Sequence, residues 1–155
     1  MVLLIPRRPY SVPSPLSLWH IDGNHKLVRW RIIIHGGIDG YSRKIMYMQA
    51  NTDNKATTVF QCFMTAVNTF GLPLRVRSDK GGENVDVARY MLQHPLRGPD
   101  RSSMITGRSV HNQLNWLAVR DLWFSVLSNY YTAFAIWRTL DTWTQTMITF
   151  FVFNL

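Results

Sequence analysis

Leu18-Trp19-His20-Ile21-Asp22-Gly23-Asn24-His25 is the stretch on which the reading of this chain turns. An apolar, β-prone run ends on an Asp, and small or polar turn residues follow at once. That is the pattern of a buried strand with a carboxylate at its carboxyl end. The pattern returns in Leu74-Arg75-Val76-Arg77-Ser78-Asp79-Lys80-Gly81-Gly82-Glu83-Asn84. Two carboxylates gathered at strand ends repel unless they share a proton or a cation, so together they form a site for a hard divalent ion. Taken singly, Asp22 and Asp79 each read better as a cap for the turn that follows. The pair, with the right elements between them, favours the site.

Working outward, Leu16 to Asp22 reads as a first strand, Val28 to His35 as a second and Lys44 to Ala50 as a third, with Asp39-Gly40 as a hairpin signal. Val59, Phe60, Phe63, Ala66, Val67 and Phe70 recur at helical spacing over 54–70. Asn51-Thr52-Asp53-Asn54 offers N-caps for that helix, and Gly71-Leu72-Pro73 ends it. Leu74 to Ser78 is a short fourth strand, Glu83 to Gln93 a second helix, and 94–110 a polar, basic loop. Further helices are expected over Asn112 to about Tyr130 and over 132–153. Strands, a helix, a strand and more helices describe an α/β domain with a mixed sheet. A crossover through the 54–70 helix sets strand 74–78 parallel to the first strand and beside it. Asp22 and Asp79 then share one end of the sheet, where ligand sites of such sheets gather.

The chain's 155 residues suffice for one domain with a real core. Residues 1–15 carry Pro6, Pro9, Pro13 and Pro15 and read as an extended lead-in, 16–130 as the domain, and 131–155 as an apolar helical tail. Net charge is +8, and 16 of the 17 Lys and Arg lie at or before Arg120, so the basic region coincides with the two Asp motifs. Polyanions are the natural partners of such a charge, although many basic proteins bind none. A single cysteine, Cys62, excludes an intramolecular disulfide framework and a cysteine zinc site, and fits a reducing, intracellular setting. Arg138, Asp141 and scattered polar residues interrupt the tail, so no membrane span is expected.

Four motifs in order carry a resemblance: Trp19-His20-Ile21-Asp22-Gly23-Asn24-His25-Lys26-Leu27, Gly36-Gly37-Ile38-Asp39-Gly40-Tyr41-Ser42-Arg43, Arg77-Ser78-Asp79-Lys80-Gly81-Gly82-Glu83-Asn84 and Gly107-Arg108-Ser109-Val110-His111-Asn112-Gln113. From roughly Tyr10 to Trp123 the chain resembles the integrase core (rve-type) domain, and within it the transposon-derived integrase-core proteins of animal genomes. The resemblance implies a ribonuclease H-like fold, a mixed five-stranded sheet flanked by helices. It implies DNA as partner, oligomers, a nuclear location, and a triad of two Asp and one Glu holding Mg²⁺ (or Mn²⁺) for strand transfer. Asp22 matches the first acid and metal ligand, Asp79 the second.

The third acid departs from the pattern. Similar proteins continue Arg-Ile-Glu-Arg-Leu-Trp-Arg-Asp after His-Asn-Gln, whereas this chain reads Leu114-Asn115-Trp116-Leu117-Ala118-Val119-Arg120-Asp121. Trp116 stands at the Glu position and offers no oxygen, so the metal is expected to bind weakly and catalysis to be impaired. Glu83, the only Glu, lies too close to Asp79 in sequence to take the usual helix position. Lys26, Lys80, Arg101, Arg108 and Arg120 are candidate phosphate contacts, each with a solvated surface role as its alternative. Three readings compete: a DNA-binding integrase core impaired in catalysis, a non-catalytic nucleic-acid-binding or interaction module, and an incomplete fragment without function of its own.

Overall fold

Trp19 and Ile21 are both fully buried, and their common face sets the sheet's main core. In the computed structural model, which describes residues 11–107 and 128–139, they lie on β1 (Trp19–Asn24). The antiparallel meander continues through β2 (Ile33–Asp39) and β3 (Ile45–Asn51). Helix α1 (Ala56–Phe70) then crosses to β4 (Val76–Asp79), and α2 (Val85–Gln93) leads to β5 (Met104–Gly107). The sheet order is β3-β2-β1-β4-β5, with β4 parallel to both β1 and β5. This is the mixed five-stranded sheet flanked by helices that the sequence led one to expect.

Burial explains why α1 forms where it does. Val59, Cys62, Phe63 and Ala66 fall at helical spacing on one buried stripe. Phe63 meets Trp19 edge to face, with ring centroids 5.8 Å apart. Val87 and Met91 of α2 join the same cluster, so both helices cover the face that Trp19 and Ile21 present. Each such fully buried side chain is worth roughly 1.5–3 kcal/mol. The helix ends at Gly71, whose φ of 98° suits a residue without a Cβ. Arg97 then ties two connections together: its Nε donates to Pro73 O at 2.7 Å and its Nη2 to Leu72 O at 2.8 Å.

A second cluster of Leu27, Trp30, Ile32, Ile34, Ala50 and Phe134 is closed by α3 (Ser128–Thr139), which crosses the boundary read at 130/131. Among the described residues no helix is long and apolar enough to cross a membrane.

The structure corrects the sequence reading at several elements. The second strand begins at Ile33, because Val28–Trp30 is a 3₁₀ turn closed by Arg31 at φ 58°. That turn delivers Trp30 to Tyr131 and Phe134, at centroid distances of 5.0 and 5.4 Å, and packing overrides the β-prone composition. The supposed loop 94–110 contains β5, whose backbone pairs with β4. The N-cap of α1 is Lys55; Asp53, ahead of the helix, accepts from Lys55 N and from the hydroxyl of Thr58 in the first turn. The helix expected over Glu83 to Gln93 starts at Val85, after a 3₁₀ turn over Gly82–Asn84. Met46 stands at a register shift between Gly37 and Ile38; it is buried while Met48 is exposed. Most of the helix expected over Asn112 to Tyr130 lies outside the described residues.

Candidate functional site

β1 and β4 bring the two aspartates together. Their parallel ladder pairs Trp19 with Val76 and His20 with Arg77, and two further residues along each strand bring Asp22 level with Asp79. Alternation turns both away from the core face that holds Trp19, Ile21 and Val76. Their outer neighbours are bare: Gly36 pairs with Asp22, and Gly107 with Asp79. A Cβ at Gly36 would meet only Tyr47 O, at 3.8 Å, and one at Gly107 would meet nothing within 4 Å. Among the described residues, neither of these neighbours sets a side chain beside the pair.

The electrostatics follow from this placement. Burial pushes the Asp22 carboxyl up to about 6. The Gly23 N–H, donating to Oδ1 at 2.9 Å, opposes the shift, while the charges of Asp79 and Glu83 add to it. Nearby, burial lowers the proton affinity of His35, whose Nε2 donates to Asp53 O at 3.2 Å. His25 donates from Nδ1 to Gly23 O at 3.0 Å.

Asp79 is held by its own loop. Its Oδ1 accepts from Gly81 N at 3.1 Å and from Asn84 Nδ2 at 2.9 Å. Asn84 is a functional candidate that the sequence reading passed over; the available signal was a polar amide closing the Gly81-Gly82 turn. Asp39 makes the contrast clear. It is 1% exposed, and both of its oxygens are engaged, Oδ1 by Leu16 N and Oδ2 by Ser42 N and Oγ. Asp39 is a turn residue, as its Gly40 neighbour indicated. Asp22 and Asp79 each accept through Oδ1 alone, so among the described residues each Oδ2 has no protein donor.

Not every candidate gathers here. Lys80 adjoins Asp79 and is exposed, and Lys26 is exposed just past the Asp22 turn. Arg101 is not brought to the carboxylates. It precedes β5, whose first residue pairs with Val76 at the opposite end of β4, and its Nη1 donates to Leu96 O. The reading of 94–110 as one loop concealed that the strand separates Arg101 from the site. Arg108, Trp116 and Arg120 lie outside the described residues.

The donor set fits a hard cation. Among the described residues Arg89 pairs with Asp86, and no ion pair joins a Lys or Arg of these residues to Asp22 or Asp79. Mg²⁺ accepts one or two carboxylates and completes its octahedron with water or phosphate oxygens. The same residues hold no group of three ligating side chains, so a fuller protein cage is not formed by them.

The chain is thus an α/β domain whose five-stranded mixed sheet sets two aspartates on adjacent parallel strands. The chain belongs to the integrase core domain family, whose model matches residues 9–147. Its fold is similar to the HTLV-2 integrase catalytic core domain, solved in complex with magnesium, with a TM-score of 0.53 at 13% identity over 76% of this chain and 75% of that one. It is also similar to the simian T-cell lymphotropic virus intasome in complex with the PP2A regulatory subunit B56 gamma, with a TM-score of 0.55 at 14% identity. That match covers 83% of this chain but 46% of the other, so this chain spans less than half of it. No curated protein matches the sequence.

Proposed function

We propose that this chain is a DNA-binding integrase-core domain, derived from a transposon-borne polynucleotidyl transferase and impaired in strand transfer. The observation that carries the reading is the level placement of Asp22 and Asp79, each with one oxygen left over by its loop. The magnesium-bound integrase core of similar fold and the +8 charge support it. A bound Mg²⁺ supplies Lewis-acid stabilisation of charge at a phosphate. Asp22 and Asp79 hold the ion, and Lys80 and Lys26 meet the DNA backbone through sequence-independent contacts. Arg108 and Arg120 extend that role on sequence grounds. Trp116 contributes no oxygen where the family places its third acid, so ion binding is weak and turnover low. Nuclear location follows from the DNA substrate.

Calorimetric titration with Mn²⁺ tests this reading. The native chain is expected to bind at least one ion, and the double variant Asp22→Asn, Asp79→Asn none. Equal behaviour of the two would overturn the site and favour a non-catalytic interaction module.

A further inference from the structure

We propose that Asn84 is a positioning residue for Asp79: its amide fixes one carboxylate oxygen so that the other is aimed at the cation. This rests on the proposed metal-binding reading of the site.

The argument starts from chemistry. A carboxylate accepts only, so the Asn84 group facing it must be the NH₂ donor. Asn84 is 5% exposed and its Nδ2 lies 2.9 Å from Asp79 Oδ1. The same oxygen takes Gly81 N, and Asn84 N in turn donates to Gly81 O at 3.2 Å. Residues 79–84 thus form a closed turn in which both donors fall on one oxygen and, among the described residues, Oδ2 has no donor. Asp39 shows what a purely structural carboxylate looks like in this chain, with donors on both oxygens.

The donor's neutrality matters as well. A Lys or Arg in this place would neutralise Asp79 and compete with a divalent ion. An amide orients the carboxylate and leaves its charge in place. The first turn of the following segment anchors the amide, so its direction is set by backbone rather than by a long mobile side chain. Groups that orient a metal ligand in this way typically change metal affinity by roughly 10- to 100-fold when removed.

The test compares the native chain with Asn84→Leu, which keeps the branched shape and loses the donor, and with Asn84→Ser, whose shorter arm falls short of Oδ1. Mn²⁺ affinity and melting temperature, the latter with and without Mg²⁺, are measured for each. The expected result is a Mn²⁺ affinity weakened roughly 10-fold or more in both, together with a smaller Mg²⁺-induced rise in melting temperature. A variant that melts lower without metal but binds Mn²⁺ as tightly as the native chain overturns the proposal, as does failure of both variants to fold. If the native chain binds no Mn²⁺, it is the metal-binding reading itself that fails.

Discussion

Asp79 strengthens the hold of Asp22 on its proton from the neighbouring strand. Burial is the larger cause, but the two together place the Asp22 carboxyl at about 6 against an unfolded value near 3.9. Between those values the native state keeps a proton that the unfolded chain has released. Stability contributed by this group is therefore present below about pH 4 and lost as pH rises through about 6. The cost of ionised Asp22 at neutral pH is on the order of 2 kcal/mol. Asp22→Asn is expected to stabilise the metal-free chain at pH 7.5 by about that amount and to leave it nearly unchanged at pH 4. Urea midpoints in EDTA, read as the difference between variant and native chain, check this. An equal difference at both pH values would contradict it.

The convergence of Asp22 and Asp79 was legible because the two strands that carry them and the helix that crosses between them announce themselves. Two β-prone runs end on Asp, and the helix over Ala56–Phe70 shows its period and its Gly71-Leu72-Pro73 stop. β5 was hidden because Met104-Ile105-Thr106-Gly107 is too short to display alternation, and what makes it a strand is the open edge of β4. The Val28–Trp30 turn was hidden for the opposite reason: its composition reads as strand, and the ring partners that overrule it lie about a hundred residues further along the chain. Asn84 escaped notice because its role is geometric. Nothing in the string distinguishes an amide that caps a turn from one that aims a carboxylate.

Gly37 lies opposite Tyr47, whose ring fills the space where a side chain at 37 would stand. Gly37→Ala is therefore an overpacking substitution beside a half-buried ring, with an expected cost of about 1–3 kcal/mol. In a Tyr47→Leu background the obstacle is gone, and the cost of the alanine should shrink by more than about 0.5 kcal/mol. A double-mutant cycle from denaturant melts measures the coupling. Strict additivity would show that the ring is not the obstacle.

Arg97 joins the α2–β5 connection to the α1–β4 connection through the Pro73 and Leu72 carbonyls. Charged hydrogen bonds of this kind contribute about 1.5–3 kcal/mol each before relaxation. Arg97→Ala is expected to lose about 2–4 kcal/mol overall, and Arg97→Lys to recover little, because one ammonium cannot reproduce the two-pronged guanidinium geometry. Because Leu74 N donates to Leu16 O and Trp19 N to Arg75 O, the loosened segment borders β1 as well as β4. Hydrogen exchange should accordingly rise at Leu74 and Trp19 in Arg97→Ala. Unchanged exchange there would confine the role of Arg97 to its own loop.

Trp116 carries the prediction most specific to the proposed ancestry. If the family's third acid belongs at this position, Trp116→Glu restores an oxygen donor to a site that otherwise rests on Asp22 and Asp79. Metal stabilisation of a phosphoryl transition state is worth several kcal/mol, and each 1.36 kcal/mol is tenfold in rate. Trp116→Glu is therefore expected to raise Mg²⁺-dependent nicking or strand transfer on labelled duplex DNA by about 10²-fold or more over the native chain, and to tighten Mn²⁺ binding. Adding Asp79→Asn to Trp116→Glu should abolish the gain, which separates restored chemistry from a contaminating nuclease. A folded, soluble Trp116→Glu with no gain in either measurement would remove residue 116 from the site and, with it, the reason for regarding the native chain as a disabled transferase.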